Sequence, residues 1–173
     1  MKEVIFLEAI FTRRSIRNFT SEQVTDEQIT KLLQAAMAAP SAGNEQPWEF
    51  IVVRERASLE EITKFHQYSQ MLKEAPAAIV VCADPGRSKY PFDYWIQDCA
   101  AATQNILLAA VTAGLGTCWL GIYPQPERVE GLRKIFSIPE SIVPFAIVAV
   151  GYAAKPVHIS DRFDEKRVRV EKW

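Results

Sequence analysis

Cysteine is scarce in this chain, and the few present stand alone. Cys82, Cys99 and Cys118 are the three in 173 residues. No two have CxxC spacing, and they are too scattered for a disulfide framework or a zinc site. They read as buried free thiols, which fits a reducing cytoplasm. Histidine is scarcer still. His66 and His158 are isolated, with no HExxH pattern and no carboxylate cluster, so hydrolytic and metal chemistry lack an apparatus. Net charge is nearly absent: 20 Lys and Arg against 21 Asp and Glu leave −1 at pH 7. No global field therefore draws the chain to nucleic acid or to an anionic membrane. Long apolar runs are also missing. Val4 to Leu7 is broken by Glu8, no signal peptide is expected, and nothing reaches the ~20 residues that span a bilayer. There is no Walker lysine motif. Gly114-Leu115-Gly116-Thr117-Cys118-Trp119 only begins like a dinucleotide fingerprint. Trp119 takes the third glycine position, and the segment precedes a strand instead of a helix.

What is present is an ordinary globular composition, 49% hydrophobic and 24% charged, in a length that suits one domain with a substantial core. Residues 4–11 read as a short helix. Thr25 and Gln28 form a capping box, followed by Ile29, Leu32, Leu33, Ala36 and Met37 on one helical face until Pro40 stops it. Phe50–Val53 reads as a strand. Ser58-Leu59-Glu60-Glu61 looks like a second capping box, opening a helix to about Phe65. Ala77–Cys82 is continuously apolar and reads as a central strand buried on both faces, closed by the turn Asp84-Pro85-Gly86. From about Phe92 to Ala113 runs the longest helical pattern, rich in alanine and capped by Gly114. A strand over 117–122, a helix over 127–136 and a buried strand over 145–150 follow, then a charged tail over 155–173. The irregular alternation argues for a helix-flanked sheet, not regular βαβ winding.

Two segments carry chemistry. Arg13-Arg14-Ser15-Ile16-Arg17 puts three guanidinium groups and a hydroxyl into five residues. Guanidinium forks match phosphate oxygens, and three of them repel one another without an anion, although composition alone also allows a solvated charged loop. Pro40-Ser41-Ala42-Gly43-Asn44-Glu45-Gln46-Pro47-Trp48 is a polar helix-to-strand loop. Its Ser41, Asn44 and Gln46 offer donors and acceptors to a flat heterocycle, though a plain connection needs no such purpose.

Taken together these segments resemble the nitroreductase family of FMN-dependent oxidoreductases, as a compact member. Further matching pieces are Glu74-Ala75-Pro76 before a strand, Gln104-Asn105 and Leu107-Leu108 on the long helix, Gly114 to Gly121, the stretch Asp161 to Val168, and Lys172-Trp173. The resemblance covers nearly the whole chain. It implies an α+β fold over residues 1–173, with a central mixed β-sheet flanked by helices and one long central helix. It implies an obligate homodimer with FMN at the subunit interface, and the tail over 155–173 contributing to both. Carried over to this sequence, Arg13 and Ser15 hold the FMN phosphate and Arg14 contributes nearby. Arg17 sits at the flavin N1/C2 edge and tunes it. Ser41 and Asn44 reach the cofactor of the partner chain, with Gln46 supporting that loop. Backbone N–H groups at Trp119, Leu120 and Gly121 face flavin N5 and O4. Arg167, with Arg169 as the alternative, completes the phosphate site. Tyr68, Ser69 and Gln70 are the candidates for the pyrimidine edge, Gln70 foremost.

The implied reaction takes hydride from NADH or NADPH onto flavin N5 and passes electrons to a small organic acceptor, a nitroaromatic or a quinone, in a ping-pong scheme. The flavin carries the chemistry, so no catalytic side chain and no metal is expected. The alternatives are related flavin chemistry (dehalogenation, ene reduction or flavin fragmentation) and a non-catalytic FMN-binding module.

Overall fold

Apolar strands at the centre and amphipathic helices on either side build the molecule. The computed structural model describes residues 2–156 and 162–173, so His158 and Asp161 lie outside the described residues. In chain order the elements are α1 (Lys2–Thr12), α2 (Asp26–Met37), β1 (Trp48–Val53), α3 (Arg56–Phe65), β2 (Ala77–Ala83), α4 (Trp95–Thr112), β3 (Gly116–Gly121), α5 (Pro126–Phe136) and β4 (Val143–Gly151). The sheet runs β1-β2-β4-β3, and each neighbouring pair is antiparallel. A parallel bridge from Ser15 to Thr117 on the outer side of β3 gives the sheet its mixed character. The α+β architecture with a long α4 therefore stands as expected.

β2 explains why the sheet is covered on both sides. All seven of its residues are buried. Ala77, Ile79, Val81 and Ala83 face a core completed by Leu32 of α2 and Ile106 of α4. Ala78, Val80 and Cys82 face a second core with Leu59 and Ile62 of α3 and Leu132 of α5. The period of two sends alternate side chains to opposite faces, so a strand apolar at every position needs helices on both. Ala102 and Ala110 of α4 are fully buried, and such small residues let α2 and the sheet approach closely. No helix among the described residues is long and apolar enough to cross a membrane.

The expected boundaries shift where tertiary bonds win. The Thr25 box forms on both sides: Gln28 N–H donates to Thr25 Oγ1 at 3.1 Å, and Thr25 N–H donates to Gln28 Oε1 at 2.9 Å. Ser58 does not cap. α3 begins at Arg56, whose guanidinium donates to the carbonyls of Leu72 at 2.6 Å and Ala75 at 2.7 Å. Ser58 Oγ then donates to Glu55 Oε2 at 2.6 Å from inside the first turn. Met37 belongs to the apolar stripe of α2 by spacing but is 53% exposed at its end. α4 starts at Trp95, not Phe92. Its entry is fixed by Trp95 Nε1 donating to Asp93 Oδ1 at 3.0 Å. Gly114, with φ of 72°, follows the C-cap residue Ala113 in the left-handed region that glycine tolerates.

All three cysteines are free and buried, and burial pushes the thiols of Cys82 and Cys99 up to about 12. Removing the cap of α2 gives a direct stability test. Thr25→Ala is expected to lower the urea-unfolding free energy by about 1 kcal/mol, with the slope of the transition unchanged.

Candidate cofactor site at the sheet edge

β3 is an edge strand, and its outer side is where polar groups converge. In an antiparallel strand, backbone groups face the partner and the open side alternately. Ile122 N–H donates to Phe145 O at 3.2 Å, towards β4, while Thr117 O accepts from Ile16 N–H at 2.8 Å on the other side. Gly121 O also points outward, accepting from Arg128 Nη1 at 2.8 Å with His66 Nε2 at 3.1 Å. Residues 117, 119 and 121 therefore present their backbone outward. The N–H groups of Trp119 and Gly121 face the open edge, while the Leu120 amide faces β4.

A cavity of about 530 Å³ opens along this edge. Arg17, Gln70, Trp119, Leu120 and Gly121, five of the residues expected from the sequence, line it. His66, Met71, Cys118 and Arg128 line it too, and sequence reasoning did not assign them. Of the trio 68–70, Tyr68 and Gln70 reach the cavity. Ser69 is fully buried, and its Oγ donates to His66 O at 2.6 Å.

His66 is 1% exposed. Burial, reinforced by the Arg128 charge, holds its pKa below the usual histidine value, so the ring is neutral. A carbonyl only accepts, so Nε2 carries the proton. Nδ1 is left as a buried acceptor with no partner among the described residues. Thr117 Oγ1 is likewise buried and unpartnered. Cys118 is pushed up by burial, an effect that the nearby Arg17 and Arg13 charges oppose.

Arg13 stands at the Thr117 end of β3. Burial lowers its pKa, and the charges of Arg162 and Arg14 lower it further. Three guanidinium groups thus crowd there, a congestion that a bound anion relieves. Arg14 donates to the carbonyls of Phe11 at 2.8 Å and Arg13 at 2.7 Å. Ser15 is exposed on the segment bridged to Thr117.

Within the chain Arg162, which sequence reasoning passed over, is the tail arginine beside Arg13. Arg167 pairs with Asp164 at 3.2 Å. Arg169 lies 5.2 Å from the Trp173 ring centroid and donates to the carbonyls of Lys166 and Val168. Neither lines the cavity.

Ser41 and Asn44 are not brought to it either. Their loop leads into β1 at the far side of the sheet, three strand spacings or about 14 Å from β3. Ser41 Oγ accepts from Gln46 N–H at 3.0 Å, and Gln46 Nε2 donates to Asn44 Oδ1 at 2.9 Å. Two buried carboxyls anchor this loop. Asp98 Oδ1 accepts from Ala42 N–H at 3.0 Å and Glu45 Oε1 from Lys89 N–H at 2.5 Å. Burial raises the Asp98 pKa, and Glu45 adds to that rise.

An α+β sheet thus carries a crowd of guanidinium groups at one end of its edge and an open cavity along the rest. The chain belongs to the nitroreductase family, whose profile, described as "Nitroreductase family", matches residues 10–67 and 64–152. It is 54% identical over 170 residues to a proposed NADH dehydrogenase/NAD(P)H nitroreductase of Archaeoglobus fulgidus, covering 96% of this chain and 98% of that one. A proposed NADH oxidase of Clostridium acetobutylicum superposes with a TM-score of 0.92 at 47% identity, covering 95% and 99% of the two chains. A proposed nitroreductase of Desulfovibrio desulfuricans, solved in complex with FMN, superposes at 0.83 with 31% identity over 97% of each chain.

The neutral His66 gives a pH test. Its folded-state pKa is lowered, so below about 6.5 the unfolded chain binds a proton that the folded chain refuses. The stability it contributes is complete above that pH and is lost as pH falls towards the folded pKa. Urea unfolding at pH 7.5 and 5.5 is expected to show a smaller acid loss for His66→Gln than for the wild type. Equal losses in both proteins would refute the assignment.

Proposed function

We propose that this chain is an FMN-dependent oxidoreductase that takes hydride from NADH or NADPH and passes electrons to a nitroaromatic or quinone at the same site. The observation that carries this reading is the β3 edge, where two outward N–H groups, at Trp119 and Gly121, face a cavity that Arg17 also lines. Bound FMN would supply the redox chemistry, accepting a hydride and returning two electrons to the acceptor.

The residues fit such a group. Arg13, Arg14 and Ser15, with Arg162 from the tail, would neutralise and hold the phosphate. Arg17 would place a positive charge at the N1/C2 edge, favouring electron uptake there. Trp119 and Gly121 would donate their amides to N5 and O4, and Leu120 would contribute lining through its side chain. Gln70 would meet the pyrimidine edge. No side-chain base or nucleophile is required.

The Ser41–Asn44 loop, some three strands away, would serve the cofactor of a second copy, and the site would be complete only in a homodimer. Exposed apolar side chains support that assembly: Leu7 and Phe11 on α1, and Phe163, Val170 and Trp173 in the tail are each more than half exposed. Arg167 or Arg169 would reach a phosphate only through such an exchange.

Purified protein is expected to be yellow, with flavin absorbance near ~450 nm, and to oxidise NADH or NADPH when menadione is added. A colourless protein that cannot be reconstituted with FMN would overturn the reading. Arg17→Ala is expected to weaken FMN retention roughly tenfold or to shift the flavin potential. Unchanged flavin affinity and reduction rate would remove Arg17 from this role.

A further inference from the structure

The cavity holds one more cation than the proposed cofactor site uses. Arg17 and Arg128 are its charged lining residues, and neither aspartate nor glutamate lines it. His66 adds no charge, because burial and Arg128 itself keep the ring neutral. Among the described residues Arg128 has no carboxylate partner. It spends Nη1 on Gly121 O at 2.8 Å and lies 6.0 Å from the Tyr68 ring centroid.

Its placement also works against it. Arg128 falls in the first turn of α5, the end where the helix dipole disfavours a cation. The phosphate cluster cannot supply its counter-charge. Arg13 stands at the Thr117 end of β3, and Arg128 at the Gly121 end, four residues or about 14 Å along the strand. A phosphate bound at one end leaves the other end cationic.

Tyr68 is 65% exposed at the mouth, and its ring meets His66 edge-on, with centroids 6.4 Å apart. The rim therefore combines an aromatic face with a planar cation that has donors to spare. That pairing suits a flat ring bearing a carboxylate or sulfonate, since a guanidinium binds such groups through a fork of parallel hydrogen bonds.

We propose that Arg128 and Tyr68 form an anion-accepting rim on this cavity, so that the preferred electron acceptors are flat aromatic molecules carrying a negative charge. Arg128 is thus a specificity residue, and the inference rests on the oxidoreductase reading above.

The test compares 4-nitrobenzoate with 4-nitrobenzamide, two acceptors of similar shape that differ in charge. Each would be reduced at its nitro group to the nitroso level. The reduction takes two electrons and two protons, releases water, and is driven by NADH or NADPH. The quantity read is the ratio of kcat/KM for the charged over the neutral acceptor, which cancels any general loss from disturbing Gly121. In Arg128→Gln the ratio is expected to fall about tenfold, mainly through KM, and Arg128→Lys is expected to recover part of it. Calorimetric binding of 4-nitrobenzoate to the purified protein is expected to weaken in Arg128→Gln, and in the wild type as salt is raised.

An unchanged ratio with unchanged binding would overturn the proposal. So would a change confined to the KM for NADPH with none for NADH, which would assign Arg128 to the nucleotide phosphate. Wild-type turnover of 4-nitrobenzamide without any charge preference sinks the rim alone. Absence of turnover with both acceptors sinks the oxidoreductase reading, and the calorimetry still decides the rim.

Discussion

The outer edge of β3 is the constraint on which the rest depends. An edge strand carries backbone groups with no ladder partner, and folded proteins must cover or use them. Here the two ends are covered and the middle is left. Ile16 takes the Thr117 carbonyl at one end, and His66 with Arg128 takes the Gly121 carbonyl at the other. Between them the Trp119 and Gly121 amides face the open edge, where the proposed cofactor would meet them. The helices, loops and charges of the site are arranged around that interval.

The cover at each end comes from a distant part of the chain, which explains why the site needs the whole fold. His66 arrives at the end of α3, 55 residues before its partner Gly121. Arg128 arrives in the first turn of α5. The Arg13–Arg17 segment arrives from α1 and crosses the edge at Thr117. Gly116 makes that crossing possible, because a Cβ there would stand 2.6 Å from the Ile16 side chain. Two cores, one on each face of the sheet, lock these arrivals in register.

Much of this was legible in the sequence because the signals were local. The capping box at Thr25, the unbroken apolar run of β2 and the Arg13–Arg17 cluster each announce themselves within a few residues. The Ser58 pattern shows the limit. It matches a capping box letter for letter, yet Arg56 is tied to the Leu72 and Ala75 carbonyls, and those non-local bonds move the helix start. His66 carries no local sign at all. Arg128 does carry one, a cation in the first turn of a helix, where the dipole makes it costly. Arg162 was hidden in a tail with several basic residues, and only the fold singles it out as the neighbour of Arg13.

Cys118 lines the cavity within the field of Arg17 and Arg13, and two such positive charges would ordinarily sharpen a thiol into a nucleophile. Burial outweighs them and keeps it protonated. Quinones and nitroso compounds are electrophiles that thiolates capture. A thiolate in the cavity wall would be open to capture by either kind of molecule. With the sulfur held as a thiol, the wall would tolerate the electrophiles that the proposed function brings to it.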